Sequence, residues 1–256
     1  MNRINKLFKN KKRNILSVYF TAGYPELKNT LEIIDELAKA GVDMIEIGMP
    51  FSDPVADGPV IQRSSEKALE NGMTLNMLFN QLTSVREKTD VPLILMGYFN
   101  PVFRFGVEKF LVKCRETGID GTIIPDLPVE EYIASYDSVF SKNDIHNIFL
   151  VTPQSTDKRV QYLDRISTGF LYVVSTSATT GGKNIFDKSH LDYFKKLNDL
   201  DLKTPRLVGF GISDKTSCEQ ASEFSNGVII GSAFIRSLDE KGSLSEKIQR
   251  FVRMIR

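Results

Sequence analysis

Eight times along this 256-residue chain a short apolar run is followed by a helical pattern, and this repeat restricts the fold more than any other feature. The runs occupy residues 16–21, 44–48, 93–98, 121–125, 147–152, 170–175, 206–210 and 227–230. Near-continuous apolar strands are the mark of a parallel sheet covered on both faces by helices. The stretches between them carry apolar residues three and four apart, as in Leu31, Ile34, Leu37 and Ala38. Their ends are marked chemically. Gly41 closes the first helix, Pro59 suits a first helical turn, and Thr74, Thr156 and Ser213 are caps. Ser243 and Glu246 form a capping box before the last helix. Eight βα units in about 250 residues make an α/β chain of the (β/α)8 (TIM) barrel type, one domain over residues 1–256. A doubly wound sheet is the alternative and would usually have fewer strands. A short extra helix at residues 2–9, with Ile4, Leu7 and Phe8 on one side, precedes the first strand.

The strand starts are separated by 28, 49, 28, 26, 23, 36 and 21 residues, so the outsized gaps follow strands 2 and 6. Barrel active sites lie on the loops after the strands. The enlarged loops 2 and 6 are therefore the expected site loops. Residues 99–101 read as a plain loop after strand 3, and residues 130–140 as the fourth helix.

Composition excludes more than it selects. Lys and Arg number 33 and Asp and Glu 32, a net charge of +1, which offers nothing to nucleic acid or an anionic membrane. No apolar run approaches the roughly 20 residues of a membrane span. The basic start of the chain is followed by an apolar run at residues 15–20, too short for the roughly 7–15 apolar residues of a signal sequence, and a cytoplasmic location is expected. Cys114 and Cys218 fall inside helical patterns, as buried reduced thiols do. His146 and His190 are isolated, so no metal site is expected. His146 precedes strand 5 at the stability face, and His190 begins a helix at the surface.

The chemistry concentrates after strand 2. Alternation puts Ile45 and Ile47 on one face and Met44, Glu46 and Gly48 on the other. A carboxyl group inside a parallel strand is buried and must be paired, hydrogen-bonded or kept protonated. It is either an interior ion pair or a catalytic acid or base. The loop that follows adds Asp53 and Asp57, each an ordinary turn residue alone. Gly209-Phe210-Gly211 ends strand 7 and Gly231-Ser232 ends strand 8, where barrels commonly bind phosphate through bare backbone N–H groups. Gly181-Gly182 in loop 6 can add donors; tight turns that need glycine are the plain alternative. Asp126 is either a rival carboxylate or a cap for the loop before helix 4. Tyr172, on one face with Phe170 and Val174, either points inward near the acids or fills the core.

The block Ile45-Glu46-Ile47-Gly48 with Pro50-Phe51-Ser52-Asp53-Pro54-x-Ala56-Asp57-Gly58-Pro59-x-Ile61-Gln62 resembles the signature of tryptophan synthase alpha chains. Phe20-Thr21-Ala22-Gly23, Met96-Gly97-Tyr98-Phe99-Asn100-Pro101, Ile124-Pro125-Asp126-Leu127-Pro128, Gly209-Phe210-Gly211-Ile212-Ser213 and Gly231-Ser232-Ala233 are similar to further blocks of that family. The resemblance covers nearly the whole chain, and its loop 2 block is highly specific.

The resemblance implies a lyase of tryptophan biosynthesis. Its reaction is the retro-aldol cleavage of indole-3-glycerol phosphate to indole and glyceraldehyde 3-phosphate. It implies Glu46 as the general acid/base and Asp57 as the acid that meets the ring N–H. It also implies substrate binding at Phe20, Tyr172, Thr180, Gly181, Phe210, Gly211, Gly231 and Ser232. It implies no cofactor in this chain and a beta-chain partner carrying pyridoxal phosphate, in an alpha2beta2 assembly. One block departs: the family often has Arg-x-Gly-Val-Thr-Gly after strand 6, and this chain has Thr176-Ser177-Ala178-Thr179-Thr180-Gly181. Thr180 is expected to close over the acids, with the missing arginine altering closure and coupling to the partner. The alternatives are another phosphate-binding barrel enzyme, which would use lysines or other carboxylate placements, and a non-catalytic alpha-like subunit that regulates a beta chain. No lysine lies within a strand, and Glu46 and Asp57 are both retained.

Overall fold

A computed structural model of the protein describes residues 1–175, 186 and 188–256. Helix α1 (Arg3–Asn10) comes first, and Asn2 caps it by accepting from the Ile4 N–H. The strands are β1 (Ile15–Thr21), β2 (Met44–Gly48), β3 (Leu93–Met96), β4 (Gly121–Ile123), β5 (His146–Asn147), β6 (Phe149–Val151), β7 (Leu171–Val174), β8 (Arg206–Gly209) and β9 (Gly227–Ile230). They form one parallel sheet in the order β5-β4-β3-β2-β1-β9-β8-β7-β6. The expected fifth strand is thus two pieces separated by Ile148 alone. β5 pairs with β4 and β6 with β7, and the Ile148 N–H still bonds the Thr122 carbonyl at 2.8 Å. The two ends of the sheet meet at this residue, which gives the (β/α)8 barrel nine strand segments for eight positions.

The outer ring begins with α2 (Asn29–Lys39), α3 (Pro59–Glu70), α4 (Leu75–Leu82), α5 (Phe99–Phe105) and α6 (Val107–Glu116). α7 (Val129–Glu131) and α8 (Asp137–Lys142) are joined by a π-helical turn at Tyr132–Tyr136. There follow α9 (Asp157–Ile166), α10 (Lys188–Asp199), α11 (Lys215–Ser222), α12 (Ser232–Ser237) and α13 (Leu244–Ile255). The large second gap holds two helices, α3 and α4. The loop of the large sixth gap lies mostly outside the described residues. Among these, no helix is long and apolar enough to cross a membrane.

Alternation along the strands builds two cores. Leu16, Val18, Phe20, Ile45, Ile47, Leu93 and Leu95 pack outward under the helices. Ile15, Met44, Ile94, Ile123, Ile148, Phe170, Leu207 and Ile229 fill the barrel. Ile4 and Phe8 of α1 join that inner cluster, and the Phe8 and Phe170 rings lie 5.8 Å apart. The extra helix therefore stops the N-terminal end of the barrel, with about 2 kcal/mol gained for each side chain taken from water. Above this floor the interior is open to polar groups.

Four local expectations are corrected. Residues 99–101 are the first turn of α5 rather than a loop, because the Asp126 carboxylate accepts from the Phe99 N–H at 2.8 Å and caps that turn from the next strand's tip. Asp126 thus serves α5, not the loop before α7. Helix α11 is capped by Asp214, in a capping box with Ser217, one residue beyond the expected Ser213. His190 is half-buried, its ring 5.7 Å from that of Phe186.

Candidate active site

The C-terminal ends of the strands surround a cavity of about 320 Å³. Glu46 and Asp57 line it together with Tyr172, Phe210, Gly211, Gly231 and Ser232, all expected at the site. Register places Tyr19 of β1 beside Glu46 of β2. The Ser17 hydroxyl, one inward step lower on β1, donates to Glu46 Oε1 at 2.8 Å. Glu46 is fully buried, and its Oε2 has no hydrogen-bond partner among the described residues. Burial disfavours the charged form and pushes the carboxyl up to about 8, against a smaller lowering by the Ser17 bond. No cation pairs with it, so of the two readings of a buried strand acid the interior ion pair is excluded among the described residues. A carboxyl group held neutral near physiological pH can give a proton away.

Asp57 comes from the loop after β2. Its Oδ2 accepts from the Tyr98 hydroxyl at 3.0 Å, and its backbone carbonyl accepts from Gln62 Nε2 at 2.9 Å. Burial raises its carboxyl and the Tyr98 bond opposes that. Asp53 is exposed at the tip of the same loop and does not line the cavity, so two of the three nearby acids meet there.

Two tyrosines enclose the acids, each lying across a glycine of the next strand. A Cβ at residue 48 would overlap the Tyr19 hydroxyl, and one at residue 209 would overlap that of Tyr172. Burial first, and then the nearby acids, hold both phenols well above their ordinary range. The Phe210 ring stands edge-on to Tyr172 at 6.0 Å. Phe210 and Gly211 both have positive φ, +67° and +71°, and the Ser175 hydroxyl fastens this turn by donating to the Phe210 carbonyl at 2.5 Å. The Ser213 hydroxyl nearby is buried with no partner among the described residues, which suits an acceptor-rich ligand such as phosphate.

Phe20 is a correction. It is fully buried in the outer core and does not line the cavity. Alternation gives that place to Tyr19, one residue earlier. Met96 and Ile61 also line the cavity and carried no sequence signal beyond being apolar. Thr180, Gly181 and Gly182, like the rest of the altered stretch from Thr176 to Asn184, lie outside the described residues.

A parallel (β/α)8 barrel whose cavity opens at the strand C-terminal ends and is lined by two carboxyl groups, one of them fully buried, belongs with the barrel enzymes. Comparison with known proteins narrows this class. The profile of the family described as tryptophan synthase alpha chain matches residues 6–255. The tryptophan synthase alpha chain of Flavobacterium johnsoniae is 53% identical over 256 residues, 100% of both chains. That of Flavobacterium psychrophilum is 52% identical over 252 residues, 98% of both chains. The solved tryptophan synthase subunit alpha of Legionella pneumophila has a TM-score of 0.89 at 33% identity, over 100% of this chain and 97% of that one. A solved tryptophan synthase of M. tuberculosis, in its aminoacrylate-bound form, has a TM-score of 0.86 at 26% identity, over 100% and 98%. The chain belongs to the tryptophan synthase alpha chain family. It thereby belongs to the carbon–carbon lyases that cleave indole-3-glycerol phosphate in tryptophan biosynthesis, alpha subunits that work with a beta chain.

Proposed function

We propose that Glu46 and Asp57 carry the cleavage in this chain and that the turn at Phe210-Gly211, with Gly231 and Ser232, holds the substrate phosphate. One observation carries the reading: a fully buried Glu46, whose Oε2 has no hydrogen-bond partner among the described residues, shares a cavity with Asp57. Glu46 gives its proton to the indole ring carbon that bears the glycerol chain, and positive charge develops on the ring nitrogen. The Asp57 carboxylate accepts the ring N–H and stabilises that charge. The Glu46 carboxylate then takes the proton of the hydroxyl on the neighbouring side-chain carbon. The carbon–carbon bond breaks, its electron pair returns to the ring, and an aldehyde forms on the glycerol fragment. Glu46 ends protonated as it began, so indole and glyceraldehyde 3-phosphate leave with no net proton exchanged. Tyr98 keeps Asp57 turned to the cavity, and Tyr19 and Tyr172 wall the ring site.

The assembly is alpha2beta2 in the cytoplasm, and the pyridoxal phosphate chemistry belongs to the beta chain. The test is incubation of the pure chain with indole-3-glycerol phosphate, with and without a beta chain. Indole and glyceraldehyde 3-phosphate should appear in equal amounts. Glu46→Gln and Asp57→Asn should each lose at least ~10²-fold in rate, as expected for positioned acid–base groups. No cleavage by the wild-type chain in either condition, or normal turnover by folded Glu46→Gln, overturns the proposal.

A further inference from the structure

We infer that Ser17 is a positioning residue that assigns the two oxygens of Glu46 their separate tasks, reserving Oε2 for proton transfer. The inference rests on the reading of Glu46 as the acid.

The sequence of β1 places Ser17 between Ile15 and Tyr19 on the inward face of the barrel. The cluster beneath it is apolar: Ile15, Met44, Ile94 and Phe170. Ser17 and Glu46 are both fully buried, so each polar atom there must find a partner inside the barrel. Ser17 Oγ makes one hydrogen bond among the described residues, to Glu46 Oε1 at 2.8 Å. A hydroxyl carries one proton, and a buried one left undonated costs the full desolvation of the group. Glu46 Oε1 is the acceptor within reach, so Ser17 donates and Oε1 is the carbonyl oxygen of the neutral acid. The acidic proton then sits on Oε2, the oxygen with no partner among the described residues. Were the proton on Oε1, it would be spent on Ser17 and the Ser17 proton would be stranded.

The titratable groups facing Glu46 do not duplicate this role. Tyr19 from β1, Tyr172 from β7 and Asp57 from the loop after β2 act on it or share its cavity, as does the exposed Arg236 of α12, and none is hydrogen-bonded to it among the described residues. The two phenols and Asp57, if ionised, would raise the Glu46 carboxyl. The Ser17 hydrogen bond lowers it.

The experiment compares wild type, Ser17→Ala, Ser17→Cys and Ser17→Thr in cleavage of indole-3-glycerol phosphate with the beta chain present, across pH. Ser17→Ala should lower kcat on the order of tenfold, the loss expected from one hydrogen bond to an ionisable group, with KM unchanged. Its alkaline limb, which reports Glu46 losing its proton, should move to higher pH. A structural role alone would not move that limb. Ser17→Cys, of similar volume and with a far weaker donor, should fall between, and decides the matter if Ser17→Ala fails to fold. Ser17→Thr, which keeps the hydroxyl, should restore kcat and the limb. Wild-type kcat and pH profile in Ser17→Ala, or in Ser17→Cys if that is the folded variant, overturn this inference alone. A wild-type chain that does not cleave overturns the reading of Glu46, and this inference with it.

Discussion

The Tyr98 hydroxyl donates to Asp57 Oδ2 and accepts from the Ala56 N–H, both at 3.0 Å, so a residue two positions beyond β3 fastens the loop after β2 at two points. The Phe51 ring of the same loop packs 5.2 Å from that of Tyr98. A loop rich in proline and aspartate has few apolar anchors of its own. Tyr98 supplies one, and it also stabilises the ionised form of Asp57 against burial.

Tyr98→Phe keeps the ring and removes both bonds. A hydrogen bond to a charged group is worth ~1.5–3 kcal/mol, so kcat/KM for indole-3-glycerol phosphate should fall at least tenfold. The limb of the pH profile that reports Asp57 should move upward, because the bond that lowers it is gone. Steady-state kinetics across pH check this, and an unchanged profile would separate Asp57 from the reaction.

The buried carboxyl of Glu46 ties stability to pH. In the unfolded chain it ionises near its ordinary 4.5, and in the folded chain burial moves it to about 8. The folded state therefore holds a proton that the unfolded state releases. The neutral acid's contribution is complete below the ordinary value and is lost as pH rises through about 8. Glu46→Gln has no proton to lose. Its melting temperature should match wild type at about pH 4.5 and exceed it increasingly towards pH 8. The upper bound is about 5 kcal/mol, from the two ionisation values. Thermal melts at a series of pH values decide it, and a difference that does not vary with pH would mean that Glu46 is not held neutral.

Much of this site was legible because the barrel repeat fixes where strands end. Glu46 announced itself as a charge between two isoleucines, and alternation named its neighbours Met44 and Gly48 correctly. At β1 the resemblance named Phe20, and alternation alone does not say which face of that strand points inward. Leu16, Val18 and Phe20 are apolar, but Ile15 and Tyr19 also have apolar bodies, so either face of that strand could have been the inner one. Register against β2 settles it by setting Tyr19 beside Glu46. Ser17 was invisible as a partner until that register was known, since 29 residues separate it from Glu46. The Asp126 cap on α5 is likewise a contact between the ends of neighbouring strands, which local patterns do not carry.

The phosphate turn should be sensitive to its backbone. Gly211 has φ +71°, where a side chain costs ~1–2 kcal/mol and a β-branched one more. Relief of that strain would turn the residue 211 N–H away from the cavity. Gly211→Val should raise KM at least tenfold with a smaller change in kcat, and inorganic phosphate should lose its competition with substrate. Phosphate inhibition as strong as in wild type would place the anion elsewhere.

Neighbouring residues on β1 give the sharpest test of which face meets the substrate. Tyr19 lines the cavity with Glu46 and Asp57, whereas Phe20 is fully buried beneath the helices. Tyr19→Phe removes one hydroxyl oxygen from the cavity wall and leaves the ring across Gly48. It should change kcat or KM several-fold with little effect on melting, because the packed volume is kept. Phe20→Leu changes a fully buried side chain in the outer core and should cost ~1 kcal/mol of stability, with kinetics at the wild-type level. Parallel melts and steady-state assays on the two variants separate the effects. If Phe20→Leu changed KM while melting normally, and Tyr19→Phe left both constants alone, the inner and outer faces of β1 would have to be exchanged.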